Sequence, residues 1–100
     1  MRILACDLRA FDDAERAHYQ ALRAALGARR LGAREVADGY EFAYPADTQT
    51  ILDVAEFVSL ERRCCPFIDF ALEIPAGATQ IRLTIGGGPD VKQFLRGAAL

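Results

Sequence analysis

Ile68-Asp69-Phe70-Ala71-Leu72-Glu73-Ile74-Pro75-Ala76-Gly77-Ala78-Thr79-Gln80-Ile81-Arg82-Leu83-Thr84-Ile85 is the stretch that decides the fold class. Ile68, Phe70, Leu72 and Ile74 alternate with Asp69, Ala71 and Glu73, and Ile81, Leu83 and Ile85 alternate with Arg82 and Thr84. A period of two over this length is the pattern of a strand with one dry and one wet face. Pro75-Ala76-Gly77-Ala78 supplies the turn, so the segment reads as an antiparallel hairpin. A sheet wet on one side needs helices on the other, which is a two-layer α+β arrangement.

Working towards the N-terminus, Thr48 to about Arg63 or Cys64 reads as a helix opened by Asp47 or Thr48. Its inner stripe is Ile51, Leu52, Ala55 and Val58, widened by Val54, Phe57 and Leu60. Pro66 drives Cys65 towards extended geometry and ends it. Before that helix, Arg34 to Tyr44 reads as a second hairpin turning at Asp38-Gly39, with Tyr40, Phe42 and Tyr44 facing the core and Pro45 stopping the strand. Asp12 and Glu15 have the form of a capping box for a helix from Asp13 to Arg29 or Arg30, whose inward stripe is read as His18, Leu22, Ala25 and Leu26. The lead-in, Met1 to Phe11, tucks Leu8 and Phe11 against that helix. After the central hairpin, Gly86-Gly87-Gly88 leads to a final helix with Pro89 in its first position and Val91, Phe94 and Leu95 on its apolar side.

The predicted order is α-β-β-α-β-β-α: one domain over residues 1–100, with a four-stranded antiparallel sheet and helices mainly on one face. The repeated α-β-β unit suggests two halves related by a pseudo-twofold. The first two helices are read as running in similar directions, which would set Cys6 and the Cys64-Cys65 pair at opposite ends.

With 52% hydrophobic and 26% charged residues, the 100-residue chain has the balance of a folded domain rather than a disordered one. A net charge of −2 gives no footprint for nucleic acid, and Arg29, Arg30 and Arg34, the one local basic cluster, suit a helix end. No window approaches a membrane span, and the first ten residues lack a signal-peptide core, so a cytoplasmic protein that engages neither membrane nor nucleic acid is expected. Three cysteines without a secretory signal point to free thiols or metal ligands rather than a disulfide framework.

The chemistry concentrates in Glu61-Arg62-Arg63-Cys64-Cys65-Pro66-Phe67. A bridge between Cys64 and Cys65 is disfavoured, because their Cα atoms lie ~3.8 Å apart across a trans peptide, below the usual disulfide range. A redox nucleophile is normally activated at a helix N-terminus, whereas this pair sits at a C-terminus, leaving Arg62 and Arg63 to compensate. A soft cation, Cu(I), Hg(II) or As(III), would itself supply the missing positive charge. The candidate metal ligands are therefore Cys64, Cys65 and Cys6, with Glu61 and His18 around them. The spacing lacks the Cys-x-x-Cys of structural zinc sites.

Two other classes stand beside this one. The first is a structural or interaction module, a homodimer with its cysteines buried as core. The second is a thiol redox protein or enzyme, whose sign in a structure would be a pocket joining Glu61, His18 and a cysteine. An enzyme is the less expected outcome. Glu61, if not a ligand, is expected to meet an arginine, Arg62 or one across the core, and Gly86-Gly87-Gly88 to serve as a strand-to-helix turn rather than an anion cradle.

The Glu61–Phe67 segment, together with Asp38-Gly39-Tyr40-Glu41-Phe42 and Gly88-Pro89-Asp90-Val91-Lys92-Gln93-Phe94-Leu95, resembles a family of small uncharacterised bacterial proteins marked by Glu-Arg-x-Cys-Cys-Pro-Phe. The likeness spans most of the chain and implies the boundaries of one unit without implying an activity. A looser similarity to arsenic metallochaperones and mercury transporters rests on the cysteine pair alone.

Overall fold

The computed structural model describes residues 6–97, so the first five residues of the lead-in lie outside it. A 3-10 turn, Leu8–Ala10, precedes helix α1, Asp13–Arg29. Strands β1, Gly32–Val36, and β2, Gly39–Pro45, lead to helix α2, Thr48–Cys64. Strands β3, Asp69–Glu73, and β4, Gln80–Gly86, lead to helix α3, Pro89–Gly97. The element order and the four-stranded antiparallel sheet are those expected from the sequence, and the strands lie in the order β1-β2-β4-β3.

The local signals act as chemistry dictates. Asp12 and Glu15 form the reciprocal capping box that satisfies orphan N–H groups at the start of α1, and the Asp47 carboxylate accepts from Thr50 N at the start of α2. Gly77, at φ 70°, turns the β3–β4 hairpin in a backbone conformation that costs glycine little.

Inward residues of the central strands, Phe42 and Tyr44 on β2 and Ile81, Leu83 and Ile85 on β4, form one core with Tyr19 and Leu26 of α1, Val54 of α2, and Val91 and Leu95 of α3. All three helices therefore cover the same sheet face. The opposite face carries the ion pairs Arg34–Glu41 and Arg82–Glu73. Among the described residues, no helix is long and apolar enough to cross a membrane.

Four expectations change. The two-residue loop of the first hairpin is Ala37-Asp38, because Val36 pairs with Gly39. Gly39 thus belongs to β2. It is glycine because a Cβ there would run into the Ile85 carbonyl and lie 2.6 Å from Gly86 Cα, a steric demand between strands that a turn motif does not express.

The inward stripe of α1 is Tyr19, Leu22 and Leu26, and His18 is exposed on the neighbouring face. That of α2 is Thr50, Val54, Glu61 and Cys64, while Leu52 is 58% exposed. Two polar residues on the buried line conceal it from a hydrophobicity count.

Finally, α1 and α2 are antiparallel. Arg29 at the end of α1 bonds Thr50 and Asp53 at the start of α2, and Arg63 at the end of α2 bonds Glu15 at the start of α1. A twofold axis relating the two α-β-β halves, with β2 and β4 antiparallel at the centre, reverses equivalent helices.

Candidate metal and thiol centre

That reversal brings the lead-in to the end of α2. Asp7 N donates to Cys64 O at 2.8 Å, and Arg63 bonds both Glu15 and the Ala10 carbonyl while its guanidinium lies 5.1 Å from the Phe11 ring centroid. Cys65 caps α2, its N–H donating to Glu61 O at 2.8 Å, and its backbone leaves the helix ahead of Pro66. The cysteine pair is consequently driven inward: Cys64 is 1% exposed and Cys65 0%.

Cys6, Glu61, Cys64 and Cys65 come together with one donor atom from each, all within 4.8 Å of one another. Cys6, the least buried of the four, is joined to Cys65 as a disulfide with a Cα–Cα distance of 4.6 Å. This departs from the expectation of free thiols or metal ligands rather than a disulfide. The antiparallel helices place residues 59 apart in sequence at bonding distance, which no local pattern announces. Cys64 remains a buried free thiol, with its Sγ 3.5 Å from Cys65 Sγ and 3.5 Å from the Glu61 carbonyl oxygen. Cys65 Sγ lies 3.2 Å from Glu61 Oε1, so in the reduced protein its thiol is placed to donate to the carboxylate.

The hydroxyl of Tyr19 donates to the other carboxylate oxygen of Glu61. Desolvation pushes the Glu61 pKa up, opposed by this hydrogen bond and by the charge of Arg23 on α1. The Tyr19 hydroxyl is itself pushed up, first by burial and then by the carboxylate. Burial and the Glu61 charge raise the Cys64 thiol to about 11. The carboxylate's partners are thus a tyrosine, not foreseen, and the charge of an arginine across the helix pair, Arg23 rather than Arg62.

Arg63 faces Glu15 and does not activate the pair. His18 is absent from the centre: it pairs with Glu56 on the exposed α1–α2 surface. Tyr19, the residue that sequence reasoning missed, is one position away, and the i, i+3, i+7 spacing of Tyr19, Leu22 and Leu26 was the signal available for it.

The chemistry of this donor set is restrictive. The Cys64 thiol is held protonated and unreactive, because burial and the Glu61 charge oppose its thiolate. A bound cation reverses each of these effects, and three sulfurs with one carboxylate oxygen match the preference of soft ions for thiolate.

Beside the centre, a cavity of about 410 Å³ runs between α1 and the sheet. Glu61 lines it, whereas His18 and the described cysteines lie outside its lining. Comparison of the chain with protein families, with curated proteins and with solved structures finds no match.

Proposed function

We propose that the reduced protein binds a soft metal ion or metalloid, of the Cu(I), Hg(II) or As(III) kind, through Cys6, Cys64 and Cys65, with Glu61 as a fourth donor or as acceptor of the displaced protons. The observation that carries this reading is the convergence of three sulfurs and a carboxylate within 4.8 Å in a largely buried corner. Zn(II) fits less well, since its structural sites rarely use adjacent cysteines. The site belongs to a cytoplasmic protein, where the reducing pool would keep Cys6 and Cys65 open to a metal. A chaperone, buffer or sensor role follows from the same chemistry, and the Glu-Arg-x-Cys-Cys-Pro-Phe resemblance is compatible with it.

Titration of the fully reduced protein with Hg(II), As(III) and Cu(I), read by sulfur-to-metal charge-transfer absorbance and native mass, tests this. The expected result is one ion per chain with loss of three titratable thiols, together with weaker binding in Cys6→Ser. Binding no tighter than that of a Cys64→Ser, Cys65→Ser double variant would sink the proposal.

A second reading is favoured by the near-complete burial of Cys64 and Cys65. In it the centre is structural, the Cys6–Cys65 bridge pins the lead-in to α2, and the protein works as an interaction module, such as a homodimer pairing through an exposed edge strand. It predicts that the Cys64→Ser, Cys65→Ser variant loses stability but no affinity for any ion.

A further inference from the structure

The cavity has a polarity of its own, separate from the thiol centre. Gln20, Arg23, Gly27 and Arg30 line it from α1 at intervals of three and four residues, forming one stripe of the helix. Leu26, Phe42, Phe70, Leu83 and Ile85 give it an apolar bed on the sheet side. At one end Glu61 is held by Tyr19 and influenced by the charge of Arg23. At the other, Arg30 lies over Phe42 with its guanidinium 5.1 Å from the ring centroid and forms no ion pair among the described residues.

Tyr44 lines the same end. It is 6% exposed, and its hydroxyl has no hydrogen-bond partner among the described residues. Between the ends, Gly27 leaves the mouth open, since a Cβ built there meets nothing within 4 Å.

An exposed guanidinium that forms no ion pair, a phenolic hydroxyl that reaches solvent without a partner among the described residues, and an apolar trough between them define a ligand. We propose that this cavity binds a small monocarboxylate with an apolar body, its carboxylate held by Arg30 and the Tyr44 hydroxyl and its hydrocarbon laid along Leu83 and Phe70 towards Glu61. A volume near 410 Å³ suits a medium-chain or single-ring acid and lies within the range of ordinary ligand pockets. A carboxylate supplies two acceptors, which the arginine fork and a phenolic O–H together satisfy. An amine would face Arg30 as a like charge, and an alcohol would leave the guanidinium uncompensated.

The test is isothermal titration of the intact protein with sodium octanoate, 1-octanol and octylamine. Octanoate is expected to saturate one site, with the alcohol and the amine weaker by about tenfold or more, the loss of one charge-assisted hydrogen bond. Arg30→Ala and Tyr44→Phe should each weaken octanoate by a similar factor while melting cooperatively by circular dichroism. Gly27→Leu should close the mouth and abolish binding, and Ala24→Trp, another substitution on the exposed helix, provides an independent block.

Absence of saturation by octanoate, equal binding of octanol, or undiminished binding in the Arg30 and Tyr44 variants would overturn the proposal. So would undiminished binding in the two blocked variants. None of these readouts depends on a metal.

Discussion

Replacing Tyr19 with phenylalanine removes one oxygen and leaves the ring, so it isolates the hydrogen bond that holds Glu61. Tyr19 is 4% exposed and Glu61 7%, and the ring keeps its packing on Phe11, centroids 5.2 Å apart, and its stacking on Phe57 at 5.9 Å. A hydrogen bond to a charged, buried partner is worth about 1.5–3 kcal/mol. Tyr19→Phe should therefore lose about 2 kcal/mol at pH 8, roughly 10 °C of melting temperature for a domain of this size.

The loss should depend on pH in a determined direction. Burial raises the folded-state pKa of Glu61 above its ordinary value of 4.5. Its contribution to stability is therefore fully present below the unfolded value and is lost as pH climbs through the folded one. The Tyr19 hydroxyl lowers that folded pKa, softening the loss. Without it the destabilisation should be small at pH 4 and should grow towards pH 8. Urea unfolding followed by circular dichroism, with the Cys6–Cys65 bridge intact, measures this at each pH. On a Glu61→Gln background the pH dependence of the Tyr19→Phe effect should vanish, leaving about 0.5–1.5 kcal/mol for a neutral hydrogen bond. An equal cost of Tyr19→Phe at pH 4 and pH 8 in the native background would refute the reasoning, since the hydroxyl would then not be serving a titrating carboxylate.

Three further outcomes are expected. Cys64, with its pKa pushed up to about 11, should react with iodoacetamide far more slowly than a free thiol at pH 7.5, and its rate should rise about tenfold per pH unit while the fold holds; fast labelling at neutral pH would contradict its burial. Reduction of the Cys6–Cys65 bridge, which spans 59 residues of sequence, should cost up to about 4 kcal/mol by loop entropy, and Hg(II) added to the reduced protein should restore most of it by linking the same elements, both readable as shifts in urea midpoint. Gly39→Ala should destabilise by about 3 kcal/mol or more, because strand backbone and not a yielding side chain stands where its Cβ would go; a variant melting within a few degrees of wild type would show that β2 and β4 can separate.

Periodicity and capping made most of the architecture legible. Asp12 with Glu15, Asp47, Gly77 and the alternation from Ile68 to Ile85 are each local instructions that the chain obeys. What was hidden depends on contacts between distant segments. Gly39 carries the signature of a turn yet serves the close approach of β2 to β4. Glu61 and Thr50 lie on the buried line of α2, so a hydrophobicity count shifts that line onto Leu52, which is exposed. Cys64 and Cys65 stand out by adjacency, with Cys6 beside them as a third candidate sulfur, but its nearness depends on the direction of α1 against α2, which is the reverse of the one expected from the sequence. His18 drew attention as the single histidine, a matter of chemistry rather than position, and the neighbouring tyrosine holds the inward place.

The hydrogen bond from Asp7 to Cys64 has a consequence for how the protein comes to exist. The two segments that make the centre are separated by α1, the first hairpin and most of α2, so their meeting closes a long loop. No half-folded chain can present all four donors, and a fragment carrying Glu61 to Phe67 lacks both Cys6 and the Tyr19 phenol. Occupancy by the soft ion proposed above would be a record of completed folding, and local opening at the lead-in would release that ion while the sheet stayed intact.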